Sequence, residues 1–495
     1  MFYLDKKMSR WLIGLFAICL AALGALLYSP SMKASHPQKA SGLPALVGNV
    51  FPHMSVMATG VESDSEAGIG AMIPWADRLW IIGYVSHIRG AGIGLYEIDS
   101  NLSFKLHPQS ITGTFANRLV HWDSKQAIIG PHIIDASGNV RTFTALSQHR
   151  LTATARHLTN PANKVYFLTM EGLLFEADVN TLETTILADL VAELKLPQDS
   201  TTHFKAAHSA QGRLVVANNT YEEPEFLGER AAGRLAEWDG TTWTILEENP
   251  FIEVSGKQNP VAGAKYGNTI FAVGWDRGSV ILRVLHDGKW QRYLLPKGSQ
   301  AWDHTWNTEW MRIREVQTER YLMDAFGIFY DLPPMIYGNH VFGIKPICNH
   351  LRISPDMTYW HGLFVLAGNQ VDNAVGQPQS GLWFGNIDDL WRWGKPSGWA
   401  TVWWDQHVKR GDVTDPLLMT GFDKKVLHLT HSSESAATFI VEVDFLGTGF
   451  FKKYKKITVP SNGYVHHEFP DAFSAHWVRV RAANDCQATV SFIYN

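Results

Sequence analysis

Short apolar segments separated by turn residues recur along residues 45–410. Two neighbouring repeats show the order most clearly: residues 213–217 and 234–238 precede an Asp-Gly turn and a Trp-bearing strand, and residue 269 begins the same order again. A period of about 45–55 residues is typical of propeller blades, each a four-stranded sheet. Because seven such groups of short apolar segments can be marked, the sequence predicts an all-β fold with a seven-bladed β-propeller over residues 43–410.

From Asp412 onwards, apolar and polar residues alternate strictly, which is the pattern of half-buried strands. The alternating segments are residues 426–431, 438–446, 454–459, 464–469, 476–482 and 487–493. They predict a small C-terminal β-sandwich-like domain over residues 411–495, with the alternative that one of them closes the propeller ring. Helical periodicity is found at residues 185–196, which predicts one short helix.

The N-terminal pattern is that of a targeting segment. Lys6, Lys7 and Arg10 precede an unbroken apolar run over residues 11–28. The run exceeds the usual signal-peptide core of about 7–15 residues and approaches the length of a spanning helix, so cleaved signal and uncleaved anchor are both open. The small and polar residues 29–42 favour cleavage. Either way, residues 1–42 predict an exported protein (secreted, periplasmic or at the outer cell surface) that contacts a membrane only through a retained anchor.

Composition narrows the predicted partners. The chain has 43 Lys and Arg against 47 Asp and Glu, a formal net charge of −4. A nucleic-acid binder would show a basic excess or a basic stripe, so no nucleic-acid partner is predicted. The four lysines within residues 452–456 are interpreted as a solvated edge strand.

The strongest candidate binding stretch is residues 303–315. It combines His304, Trp306, Arg312 and Arg314 without a strand or helix period. Indole rings suit the face of a sugar and guanidinium groups suit a carboxylate, so these four side chains are candidate substrate-binding residues. The alternative interpretation is that the arginines form structural ion pairs between blades.

Candidate catalytic residues are histidines and a tyrosine near predicted strand ends. His208, Tyr221 and Arg234 belong to one predicted blade, and together they form an acid–base set with a charge neutraliser. His132 and His157 also lie beside apolar strands. A histidine in that setting is more often a hydrogen-bonded core residue than a catalyst, and this alternative stays open for both.

Two cysteines, Cys348 and Cys486, lie outside the N-terminal apolar run. In an exported protein they are compatible with one disulfide. Cys348 and His350 are alternatively two ligands of a structural zinc site, which would need further ligands from distant parts of the chain. The predicted chemistry requires no cofactor.

Several of these features resemble a family. The propeller pattern, residues 233–240 and residues 308–316 are similar to secreted bacterial propeller proteins laid out like the seven-bladed ulvan lyases and the propeller rhamnosidases. The resemblance covers residues 45–410 in architecture. It implies cleavage beside a uronic acid by β-elimination, in which a cation stabilises the charge that develops on the carboxylate.

The resemblance also implies roles for the candidate residues. Arg234 would neutralise the uronate, Tyr221 and one of the three candidate histidines would serve as acid and base, and His304 would help to bind substrate. A structural zinc, with Cys348 and His350 as its ligands here, is a feature of some of these propellers.

The leading functional hypothesis is therefore a secreted polysaccharide lyase acting on an anionic, ulvan-like polysaccharide. A propeller glycoside hydrolase is the first alternative, for which Glu309, Glu315 and Asp324 are candidate carboxylates. A non-catalytic glycan-binding module is the second. The fold class alone does not separate these three functions.

Overall fold

The computed structural model describes residues 50–55, 68–85, 94–197, 202–220, 233–257, 268–299, 306–317, 319–333, 336, 340–368 and 381–495; for residues 50–55, 306 and 307 it describes only the backbone. Residues Leu46–Asn495 form one compact unit. Regular structure in the described ranges is almost entirely β. The helical segments there are Leu190–Glu193, Trp306–Glu309, Thr144–Leu146 and Ile387–Arg392.

Most strands belong to antiparallel sheets of four that follow the order of the chain. Strand β1 is Val50–Ser55. The next two sheets contain β2 Gly68–Trp75, β3 Arg78–Tyr84, β4 Leu95–Ile98 and β5 Phe104–Leu106, then β6 Arg118–His121, β7 Gln126–Ile129, β8 His132–Asp135 and β9 Val140–Thr142. They are followed by β10 Leu151–Arg156, β11 Lys164–Thr169, β12 Leu173–Asp178 and β13 Thr184–Asp189, then β14 Phe204–Ala210, β15 Arg213–Asn218, β16 Arg234–Trp238 and β17 Trp243–Glu247.

The remaining sheets of this type follow the same order. They contain β18 Phe251–Gly256, β19 Ile270–Trp275, β20 Val280–His286 and β21 Lys289–Leu295, then β22 Arg312–Gln317, β23 Arg320–Ala325, β24 Ile328–Leu332 and β25 Lys345–Asn349. The last contains β26 Met357–Trp360, β27 Leu363–Ala367 and β28 Gly381–Gly385, with β1 as its outermost strand. The pairing of β1 with β28 is antiparallel and places Val50 opposite Trp383.

The first strands of these sheets form a closed ring. Contacts run from β2 to β6, β10, β14, β18, β22 and β26, and β26 contacts β2 again. Sheets arranged radially around an axis, each with its first strand innermost, are the architecture of a β-propeller. The all-β propeller class predicted from the sequence is thus confirmed.

The packing explains why the predicted strands are continuous apolar runs. In β3, Trp80 and Ile82 belong to one apolar cluster, whereas Leu79 and Ile81 belong to another. Side chains of a strand alternate between its two faces, so each face of this sheet contacts a different neighbouring sheet. The turns also match: Asp287 and Gly288, between β20 and β21, have φ angles of 47° and 73°, as in the type I′ turn that an Asp-Gly pair favours.

The C-terminal part adds two further groups of four strands. Their strands are β29 Gly398–Val408, β30 Leu417–Leu418, β31 Lys425–His431, β32 Ala437–Asp444, β33 Lys452–Val459, β34 Tyr464–Glu468, β35 Trp477–Ala482 and β36 Cys486–Tyr494. One sheet has the order β29-β36-β31-β34, and the strands β30-β35-β32-β33 continue the sheet of β18–β21 through a parallel contact between Leu294 and Leu417. Strand β29 lies before the boundary predicted at residue 410.

One segment differs from its sequence-based prediction. Residues 185–189 belong to β13, and the helix is limited to Leu190–Glu193. The Asp189 carboxylate accepts a hydrogen bond from the Val191 amide at 3.0 Å and so caps this single turn. The predicted helix over residues 185–196 is therefore correct only for residues 190–193, and in its first part the pairing with β12 overrides the weak helical period.

Candidate functional site

Charged side chains from distant parts of the chain meet at the propeller axis. Arg118 lies on β6, Glu253 on β18, Arg312 and Arg314 on β22, and Asp356 directly before β26. All five are buried or nearly so. We call these five residues the axial charge cluster. They are brought together because each belongs to, or directly precedes, an innermost strand of the ring.

Ion pairs connect the cluster. Arg314 places Nε 2.6 Å from Asp356 Oδ1 and Nη1 2.5 Å from Glu253 Oε1. Arg118 Nε lies 3.2 Å from Asp356 Oδ2, and Arg312 Nη1 lies 3.7 Å from Glu253 Oε2. Three guanidinium groups therefore share two carboxylates, which leaves an excess of one positive charge.

The pKa shifts follow this imbalance. Burial lowers the pKa of Arg118 to about 10, because the attraction to Asp356 does not fully offset desolvation. Burial also lowers the pKa of Arg312. For Arg314, burial acts in the same direction, but Glu253 and Asp356 together raise its pKa. Asp356 is buried too, yet Arg118 and Arg314 keep its pKa below the ordinary value.

A small cavity of about 40 Å³ lies beside the cluster. His208 lines this cavity, and burial lowers the pKa of its imidazole to about 4. Its ring packs closely on the backbone of Gly256, where an added Cβ would lie 2.6 Å from His208 Nε2. The cavity is large enough for ordered water and much smaller than the roughly 300 Å³ of a ligand-sized pocket.

One end of the axis is closed by apolar side chains. Tyr84, Met170 and Trp310 form a cluster that also contacts Ala116 and Ile353. The rings of Tyr84 and Trp310 meet edge to face at a centroid distance of 4.9 Å. These five residues lie in or beside strands of five different sheets around the ring, so they can touch only near the axis. We call this cluster the axial plug.

The other end of the axis opens into a pocket of about 260 Å³, which we call the mouth pocket. Trp75, Trp122 and Tyr359 line it together with Arg118 and Arg314. The rings of Trp75 and Trp122 meet edge to face at 5.8 Å, and Trp122 and Tyr359 are 39% and 42% exposed. Aromatic side chains therefore share this pocket with two guanidinium groups of the axial charge cluster and with one further carboxylate, that of Glu315.

Three residues predicted from the sequence come together at the axis: His208, Arg312 and Arg314 all line the small cavity. Arg312 and Arg314 form the inter-sheet ion pairs that the alternative interpretation described. Arg314 also lines the mouth pocket, whereas Arg312 Cζ lies 4.7 Å from the ring centroid of Trp310 in the axial plug.

The other described candidates lie apart from the axis. His132 is buried in β8, where its Nδ1 is 2.9 Å from Thr142 Oγ1 and burial lowers its pKa to about 4. His157 Nε2 is 2.6 Å from Glu176 Oε2. Arg234 begins β16 and donates from Nη1 to its neighbouring carbonyl at Gly233. His132 and His157 thus have the hydrogen-bonded settings that the structural interpretation described.

Three predicted residues are not placed by the structure. Tyr221 and His304 lie outside the described residues, and the side chain of Trp306 does as well. The roles assigned to them from the resemblance stay predictions.

The two cysteines are buried and free, so the described structure has no disulfide between Cys348 and Cys486. Burial raises the pKa of the Cys348 thiol to about 12, so the free side chain is a thiol at neutral pH. His350 Nε2 is 3.0 Å from Asp324 Oδ1, and its ring stacks on Phe329 at 4.1 Å. No group of three or more metal-ligating side chains is found in the described part of the chain, and the structural zinc with Cys348 and His350 as ligands stays a prediction.

Sequence reasoning missed Arg118, Glu253 and Asp356. A signal for one of them was present, because Glu253 is a charged residue between two apolar residues of its strand. A charge in such a position needs a buried partner. Its partner is supplied by another sheet, which a local pattern does not reveal.

No protein-family model matches the chain, and no curated protein matches it. Among solved structures, the chain is similar to U3-55K, with a TM-score of 0.40, 10% identity, and coverage of 67% of this chain and 98% of that one. The β-propeller domain of Cps50 (Swd1) from Myceliophteria thermophila gives a TM-score of 0.38 and 9% identity, covering 65% and 98%. A nidogen/laminin complex gives 0.30 and 14%, covering 52% and 94%. These similarities are too weak to support an argument about function.

Proposed function

We propose that this protein is a seven-bladed β-propeller that binds an anionic polysaccharide through its mouth pocket. The closed ring of first strands from β2 to β26 supports the count of seven blades. The two four-stranded groups formed by β29–β36 support a C-terminal β-sandwich beside it. The proposed ligand is a uronate unit of the polysaccharide, as the sequence also predicts.

The observation that carries this proposal is the combination of exposed aromatic side chains with two guanidinium groups in one pocket. Trp122 and Tyr359 are exposed at its walls, and Arg118 and Arg314 lie behind them. Sugar rings pack on aromatic faces through their C–H groups, and a carboxylate is attracted by a positive cluster that is shielded from water. A volume of about 260 Å³ suits one or two sugar units of a longer chain.

Substitution of the pocket walls tests this proposal. We expect Trp122→Ala and Tyr359→Ala each to weaken binding to polygalacturonate about tenfold, measured by titration calorimetry, which corresponds to about 1.4 kcal/mol. The matched control is Trp391→Ala, since Trp391 is also exposed but lies away from this pocket. Added salt should weaken binding of the unsubstituted protein, and dextran, which is neutral, should bind poorly. Equal affinity in all three variants would refute the mouth pocket as the site.

A second candidate function, β-elimination, is favoured by one observation. The Tyr359 phenol and two guanidinium groups line the same pocket. In that reaction a base removes the uronate C5 proton, the C4–O bond breaks, a C4=C5 bond forms, and the leaving oxygen takes a proton. The positive cluster would stabilise the charge that develops on the carboxylate.

Ultraviolet absorbance of the unsaturated product distinguishes the candidates. New absorbance on incubation with ulvan or polygalacturonate means a lyase, reducing ends without absorbance mean a hydrolase, and retention without products means a binding module. If a lyase is found, its loss in Tyr359→Phe assigns the chemistry to the mouth pocket. Its loss in Tyr221→Phe, with Tyr359→Phe active, instead supports the site implied by the resemblance.

A further inference from the structure

A second surface, far from the mouth pocket in sequence, presents apolar side chains to solvent. The turn between β32 and β33, residues 445–451, carries Phe445, Leu446 and Phe450, whose exposed fractions are 59%, 64% and 74%. Large apolar side chains that are clustered and this exposed usually mark a surface that contacts something else. We call these three residues the apolar tip.

The conformation of this turn is defined by hydrogen bonds. The buried Asp444 carboxylate accepts from the amides of Gly447 at 2.9 Å and Gly449 at 2.6 Å, and from that of Leu446 at 3.3 Å. Gly447 and Gly449 have φ angles of 70° and 82°, which a residue with a side chain rarely adopts. Folding therefore holds the apolar tip outward instead of leaving it to collapse onto the domain.

Basic residues follow the apolar tip on the next strand. Lys452, Lys453, Lys455 and Lys456 are exposed on β33, which is the edge strand of its sheet among the described strands, as the sequence predicted. They begin directly after the turn and extend roughly 13 Å along the strand, at about 3.3 Å per residue.

The neighbouring strands add to this charge. Lys453 and Arg479 both lie opposite Glu442, and Lys456 and Arg481 both lie opposite Ile440. Residues opposite one another in adjacent strands share a face of the sheet. Glu442 is bound by both arginines, at 2.8 Å and 2.6 Å. Because its carboxylate offsets only one of these cations, the face keeps an excess of positive charge.

We propose that the apolar tip and the lysines of β33 dock the protein on a bilayer that contains anionic phospholipids. The tip inserts Phe445, Leu446 and Phe450 at the boundary between headgroups and acyl chains, and the lysines contact the anionic headgroups. Aliphatic Leu446 beside two phenylalanines suits a lipid interface better than a sugar. This docking is independent of the ligand of the mouth pocket.

An environment-sensitive fluorophore attached to the tip tests the proposal in the full chain. It is attached through Leu446→Cys in a Cys19→Ser background, while Cys348 and Cys486 are buried. With phosphatidylserine vesicles, we expect a blue shift and quenching by brominated lipids. The same fluorophore attached through Ile186→Cys, an exposed position on β13, should show neither change, which separates the tip from any attachment made by the N-terminal apolar segment.

Charge and apolarity can then be tested separately. Lys453→Glu with Lys456→Glu should weaken the response to phosphatidylserine vesicles at least tenfold in lipid concentration, since each lysine near an anionic surface contributes about fivefold. Phe445→Ser with Phe450→Ser should abolish the blue shift. An unchanged fluorophore signal on anionic vesicles would overturn the proposal. A signal that appears with polygalacturonate but not with vesicles would overturn it too, and would assign the surface to an acidic polymer.

Discussion

At the scale of single residues, the axial charge cluster depends on its two carboxylates. Asp356 is buried, accepts from the Met72 amide at 2.6 Å, and is the ion-pair partner of both Arg118 and Arg314. A buried cation that loses its partner destabilises the folded state, because burial keeps water from solvating its charge. Loss of the Asp356 charge should therefore destabilise the cluster strongly, because this carboxylate pairs with two arginines.

We expect Asp356→Asn to lower the free energy of unfolding by about 3 kcal/mol, measured by urea denaturation at pH 7. The amide keeps the shape of the carboxylate and removes its charge, so the loss reports the ion pairs. Asp423→Asn is the control, because Asp423 pairs with Lys395 on the surface, and its denaturation midpoint should not change. A loss below about 1 kcal/mol in Asp356→Asn would contradict this account.

The buried histidines make stability depend on pH. Burial lowers the pKa of His208 in the folded state to about 4, whereas an unfolded histidine titrates near 6.5. Above pH 6.5 both states are neutral. As the pH falls below 6.5 the unfolded state takes up the proton first, so stability is lost progressively down to about pH 4.

We therefore expect His208→Gln to reduce the loss of unfolding free energy between pH 7 and pH 5 by about 2 kcal/mol. The measurement is urea denaturation of both proteins at both pH values. Comparing the change between the two pH values within each protein removes any destabilisation by the substitution that does not depend on pH. His466→Gln, at an exposed position, should keep the full pH dependence. An identical pH dependence in His208→Gln would show that His208 is not the group that titrates.

Individual site residues could be predicted from the sequence only in part. Arg312 and Arg314 were found because they stand beside aromatic residues in one short stretch. Asp356 is not predicted, because its partner Arg118 lies 238 positions earlier in the chain. Only the closed ring brings the two residues together. Ion pairs between different sheets therefore cannot be predicted from the local pattern of apolar and polar residues.

At the scale of elements, the sequence predicted the strands well. All six alternating segments after Asp412 are strands, from β31 to β36. Their period of two is a direct consequence of one buried and one exposed face. The predicted boundary at residue 410 places β29 in the propeller, although it pairs with β36 of the C-terminal sheets. Its composition, rich in Trp and Val, predicts a strand but does not show which sheet that strand joins.

Strand β1 gives a prediction at this scale. It pairs with β28 and so joins the N-terminal end of the ring to its last sheet. A protein that begins at residue 56 should unfold at least about 5 °C below one that begins at residue 46, since the edge of β28 loses its partner. Thermal unfolding followed by circular dichroism checks this, and equal midpoints would show that β1 does not close the ring.

At the scale of the whole molecule, the propeller and the C-terminal strands share one apolar core. A single cluster contains Val215 and Leu285 of the propeller and Phe439, Val480 and Val490 of the C-terminal sheets. A shared core means that neither part buries all of its apolar surface alone. The predicted boundary at residue 410 separates two architectures that are packed on each other.

We expect a protein that ends at residue 397 to be insoluble or partly unfolded, because it exposes apolar residues of the shared core such as Leu294 and Leu285. Size-exclusion chromatography and circular dichroism of the truncated protein check this, with the chain beginning at residue 46 as the intact reference. A monomeric truncated protein with a cooperative unfolding transition would establish the propeller as an independent domain.

The axial plug limits how a polymer can meet this molecule. Since Tyr84, Met170 and Trp310 pack across one end of the axis, a glycan strand cannot pass along the axis from one side of the ring to the other. Whatever enters the mouth pocket must leave by the route it came in. A long chain would then lie across the mouth pocket or enter it by one end, and the two parts of the chain on either side of the bound units would stay on the same side of the ring.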